Sequence, residues 1–101
     1  MGARISIKLA DCLQQPKVEI ELWVERHEAA NEGDEPSDSQ QAKLIFIRPD
    51  GPAHRMHFDC YSHEGQIYLE ADFNFFRDEA RHSASMRHLF QNSIPFRVIP
   101  G

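Results

Sequence analysis

Long apolar runs are missing from this chain: the longest is the four-residue stretch Leu44–Ile47. Nothing approaches the roughly 20 residues of a membrane-spanning helix. The first residues also lack the apolar block of a secretory leader. A cytoplasmic protein without membrane contact is the expectation. Cysteine is scarce, with only Cys12 and Cys60, too few for a disulfide framework. Short chemical signatures are absent as well. There is no Cys-x-x-Cys, no His-x-x-x-His, no glycine-rich phosphate loop and no Gly-x-Ser-x-Gly, so the commonest metal, nucleotide and nucleophile motifs find no foothold.

With 101 residues, 41% hydrophobic and 27% charged, the composition is that of an ordinary folded domain rather than a disordered chain. One domain, residues 1–101, is expected. The net charge of −5 is unevenly distributed: residues 17–41 hold eight acids against Lys17 and Arg26, for a net of −6. Such a lobe repels nucleic-acid phosphates and suits a basic protein surface. Residues 27–41 carry little apolar content and include Gly33 and Pro36, which predicts a mobile acidic loop.

Hydrophobic periodicity supplies the architecture. In Lys17–Glu25, Val18, Ile20, Leu22 and Val24 alternate with Glu19, Glu21, Trp23 and Glu25, the period-two pattern of a strand with one apolar face. Arg4–Leu9 alternates likewise. Lys43–Arg48, His54–Tyr61 and Gln66–Phe73 follow, divided by turn signals at Pro49–Ala53 and Ser62–Gly65. A helix is expected from about Asn74 to about Gln91, with Phe76, Ala80 and Ala84 on its apolar side. Pro95 and Pro100 leave room only for a short final edge strand.

Folding these segments as successive hairpins gives a consistent register. Tyr61 facing Gln66 sets Cys60 on Ile67, Phe58 on Leu69 and His57 on Glu70. Arg48 facing His54 sets Phe46 on Met56 and Lys43 on Asp59. Leu9 facing Val18 sets Ile7 on Ile20. Apolar meets apolar on one face throughout, and the charged side chains collect on the other. The fold class expected is α+β: an antiparallel meander of about five strands, with one C-terminal helix packed on one face and a short edge strand last.

One helix covers one face. The other would carry Trp23, Ile45, Ile47, Tyr61 and Tyr68 among Glu19, Glu21 and Glu25, a composition suited to an interface. A sheet that closes into a barrel or sandwich would instead cover this patch itself. The expected role is a non-catalytic protein-binding or assembly module, acting on a protein partner or a second copy of itself through the outer face. The Trp/Ile/Tyr residues would anchor it and the glutamate row would orient it. An acidic inhibitor or immunity-type protein, occluding a basic site on an enzyme that handles nucleic acid, is the second reading. A small acid/base enzyme using His57 with Glu70 or Asp59 is the third. His54, His57, Asp59, Cys60 and His63 lie close in sequence but alternate between faces, so no metal site or other cofactor is expected. Cys60 is expected in the core, with Cys12 the more exposed thiol.

Overall fold

The computed structural model describes residues 2–101. Its elements in chain order are β1 (Arg4–Lys8), α1 (Leu9–Leu13), β2 (Val18–His27), β3 (Ser37–Phe46), β4 (His54–His63), β5 (Gln66–Asp72), α2 (Phe73–Arg81), α3 (Ala84–Asn92) and β6 (Arg97–Ile99). The strands form one antiparallel sheet in the order β2-β3-β4-β5-β1-β6. The α+β class, the meander (β2 to β5), the C-terminal helical segment and the short last strand all match the pattern in the sequence.

The first strand does not form a hairpin with the second. β1 lies between β5 and β6, with Arg4 opposite Asp72 on one side and Ile99 on the other. Its residues Ile5, Ser6 and Ile7 are all buried, which suits a central strand. The short helix α1 buries Leu9 and Cys12 and carries the chain away towards β2, packing against β5 and β2. Cys12 is therefore a core thiol and not the exposed one.

The two central hairpins keep the expected face but pair two residues out of the expected register. His63 faces Gln66, so Tyr61 faces Tyr68 and Cys60 faces Leu69. The turn is the two residues Glu64 and Gly65, with φ of 51° and 77°, the left-handed geometry of a tight hairpin. Phe46 likewise faces His54, Leu44 faces Met56 and Lys43 faces His57. A slip of two preserves side-chain parity, which is why the faces survive.

The polar segment 27–41 is only partly a loop. β2 continues to His27 and β3 begins at Ser37, and the ladder is unbroken from Val18 opposite Phe46 to His27 opposite Ser37. Residues 28–36 alone connect them. Backbone pairing with β2 makes a strand of Ser37–Gln41 despite its lack of apolar side chains.

Helices α2 and α3 lie on one face. Phe46, Leu44, Met56, Phe58, Leu69, Ile5 and Ile7 from the sheet close against Phe76, Met86 and Phe90. Phe90 meets Phe76 edge-on at 4.8 Å between centroids and Phe46 at 5.9 Å, favourable aromatic geometry. The single expected helix is divided at His82–Ser83. Asp72 caps α2 by accepting from the Phe75 N–H at 2.9 Å. Ser83 starts α3 by accepting from the Met86 N–H at 3.3 Å, and a serine with extended backbone there restarts the helix. Among the described residues no helix is long and apolar enough to cross a membrane.

Candidate functional site on the outer sheet face

The sheet is open, with β2 and β6 as its edges, and its helices occupy the inner side only. The outer face follows from parity: Glu19, Glu21, Trp23 and Glu25 on β2; Ser39, Gln41, Lys43 and Ile45 on β3; Arg55, His57, Asp59 and Tyr61 on β4; Tyr68 and Glu70 on β5.

Trp23 and His57 reach over β3 from either side and stack, with centroids 5.5 Å apart and planes 19° from parallel. Lys43 places its ammonium 5.7 Å from the indole centroid, within cation–π range. The indole Nε1–H donates to Glu25 Oε1 at 3.2 Å. Beneath this group Gln41 is 7% exposed. Its Oε1 accepts from His57 Nε2, and its Nε2 donates to Ser39 Oγ at 3.1 Å. Ser39 Oγ in turn lies 2.7 Å from His27 Nε2. The chain of bonds runs His57–Gln41–Ser39–His27 across three strands, and it satisfies a buried amide that would otherwise be costly. Trp23 is thus fixed from three sides and is partly buried.

A second aromatic pair, Tyr61 and Tyr68, stacks cross-strand at 5.1 Å and 17°. Between the two pairs lie Asp59 and Glu70, opposite one another. Arg4 of β1 holds both, at 3.0 Å and 3.7 Å. The two-residue slip in register sets Asp59, not the expected His57, opposite Glu70. Of the groups named for acid/base chemistry, His57 is hydrogen-bonded to Gln41, and Asp59 and Glu70 share the Arg4 cation. His54, on the inner face, places Nε2 2.8 Å from Glu79 Oε2 of α2, off the line of a good hydrogen bond. Among the described residues no three His, Cys, Asp or Glu side chains gather as a metal would require.

Ile45 is on the outer face yet 6% exposed. It belongs to no part of the inner core, and its cross-strand neighbours are Glu19 and Arg55; long charged side chains cover apolar surface in this way. Ile47 lies beyond the end of β3 and donates its N–H to the Lys17 carbonyl at 2.9 Å. Of the residues expected to form the patch, the fold brings together Trp23 with Glu25, and Tyr61 with Tyr68. It places Glu19 and Glu21 along the same strand edge and withdraws Ile45 from contact. Gln41, Ser39 and His27 were not visible as participants, because they fall in the segment that reads as loop. The chain matches no protein-family model, no curated protein and no solved structure.

Proposed function

We propose that this chain is a non-catalytic protein-binding module that engages a partner of basic surface through the outer face of its sheet. The observation carrying this reading is the Trp23 group. A large aromatic is held by Lys43, His57 and Glu25 on a face that the helices leave open. An ordered aromatic loses little entropy on binding and buries much area. Glu19, Glu21 and Glu25, with Glu28, Glu32, Asp34 and Glu35 in the following connection, are exposed and set the charge preference.

Blocking a basic site on an enzyme is the second reading, and the acidic β2–β3 hairpin favours it. The long axis of the molecule, 51 Å against 28 and 27 Å, gives a slender shape suited to insertion. The two readings share one test. The partner is recovered with tagged protein and identified, and the capture is repeated with Trp23→Ala and at rising salt. Loss of capture in a variant that remains folded supports the module. Full capture by Trp23→Ala refutes it. A steep salt dependence with an enzyme as the captured species selects the inhibitor.

A further inference from the structure

We infer that the free edge of β2 is a docking rail for an extended partner segment in which basic and apolar residues alternate. This inference rests on the reading of the chain as a binding module and specifies its partner's chemistry.

The direction of the backbone groups comes first. The Lys17 carbonyl accepts from the Ile47 N–H at 2.9 Å, and the Val18 N–H turns away to the Gln15 carbonyl at 3.2 Å. In an antiparallel ladder, bonded and non-bonded positions alternate. The odd residues of β2 therefore bond to β3, and Ile20, Leu22, Val24 and Arg26 point their N–H and C=O groups away from the sheet. The ladder continues for ten residues without a bulge, and no proline or lysine interrupts Val18–His27. Bulges, prolines and lysines all blunt edges; here only the charges of Glu19, Glu21, Glu25 and Arg26 do so.

Side chains give the second observation. On the inner side of this edge the helices do not reach: Leu22 is 54% and Val24 59% exposed. They border a shallow depression of about 180 Å³ with Gln40, Cys60 and Ile67. On the outer side stand Glu19, Glu21 and Glu25. A seventh strand added here would present apolar side chains to Leu22 and Val24, and every other side chain to the glutamates.

Charge then chooses the occupant. A second copy pairing symmetrically through β2 sets like charges opposite one another. Centred on Ile20, Glu19 faces Glu21. Centred on Glu21, that residue faces its copy. Centred on Leu22 or Trp23, Glu25 faces Glu19 or Glu21. Centred on Val24, Leu22 faces Arg26 and the apolar match is lost. Like charges directly opposite are unfavourable, so a strand with lysine or arginine at alternate positions fits where self-pairing does not.

The probe is the peptide acetyl-Lys-Val-Lys-Ile-Lys-Val-Lys-amide. Its controls are the same residues in blocked order and the same sequence N-methylated at alternate amides. Binding is followed by indole fluorescence and by amide exchange. The expected result is binding of the alternating peptide, with exchange at Leu22 and Val24 slowed by about tenfold or more. N-methylation should weaken binding by a similar factor. Leu22→Pro should do the same, since it removes an N–H not used by the β2–β3 ladder and proline is tolerated on such edges. Should Leu22→Pro perturb the fold, the N-methylated peptide on the unaltered protein decides. Equal binding by both controls, or unchanged exchange at Leu22 and Val24, overturns the inference. So does sedimentation showing a dimer of the chain alone with those amides protected. Trp23→Ala, which removes the only indole and is followed by amide exchange alone, separates this inference from the outer-face reading. Binding lost in that variant but indifferent to N-methylation leaves the face and removes the rail; the opposite pattern leaves the rail and removes the face.

Discussion

Trp23 and His57 stack across an intervening strand, their centroids 5.5 Å apart, although neither residue is opposite the other in the ladder. The contact is a surface one, and its loss leaves the inner core untouched. Trp23→Ala is expected to cost about 1 kcal/mol in urea denaturation, the scale of one such aromatic contact. Phe46→Ala, which opens the fully buried cluster, is expected to cost about 3–5 kcal/mol. Equal losses would make Trp23 a structural residue and remove the anchor of the proposed interface.

Replacing Glu19, Glu21 and Glu25 together by glutamine should leave stability within about 0.5 kcal/mol, as exposed substitutions do. Affinity for a basic partner should fall, and the remaining binding should lose most of its salt dependence. Titration at several ionic strengths checks both.

The Glu64–Gly65 turn should respond to residue chemistry alone. Glu64 adopts φ 51°, which asparagine tolerates better than glutamate. Glu64→Asn should stabilise by a few tenths of a kcal/mol, and Gly65→Ala should destabilise by about 1 kcal/mol. Thermal melts of the two variants are expected to move in opposite directions.

These turns also show where the sequence stops being informative. Alternation placed Met56, Phe58, Leu69 and Ala71 on the inner face, because parity is a property of each strand by itself. Pairing is not. The turn at Ser62–Gly65 reads equally well as two residues or four, and both registers match apolar with apolar. The neighbour of β1 was still less legible. Ile5 and Ile7 would suit β2 or β5, and only α1, hidden in an unremarkable Leu9–Leu13, sends the chain across. Ser37–Gln41 has no apolar signal because its pairing comes from the backbone. At the candidate site, Trp23 and its glutamate row were visible through their misfit with a solvent face. The Gln41 and Ser39 bonds depend on a register that periodicity does not fix.

Cys12 provides a pH handle. Burial, with a smaller contribution from Asp11, pushes its thiol from 9.0 up to about 12. Below about pH 9 the thiol is protonated in both folded and unfolded chains, and its burial is fully tolerated. Above that, the unfolded thiol ionises and the folded one does not, so stability falls by up to about 1.4 kcal/mol per pH unit through this window. Denaturation at about pH 8 and about pH 10 should show a larger drop for the native sequence than for Cys12→Ala. In the folded state an alkylating reagent should spare Cys12.

The Ser83 hydroxyl caps the start of α3. Ser83→Ala removes the acceptor of the Met86 N–H and should cost about 1 kcal/mol. Ser83→Thr should restore most of it. Circular dichroism during urea denaturation would show both.

The position of β1 has a temporal corollary. Ile5 and Ile7 cannot find their permanent neighbours until residues near 70 and near 98 have been synthesised. Until then Ile5 and Ile7 belong to an apolar strand without a mate. Joining ends so distant along the chain closes a large loop, and such closures slow the search for the native arrangement. Refolding should accordingly lag behind that of a helical bundle of equal length, with assembly of the β2–β5 meander preceding the capture of β1.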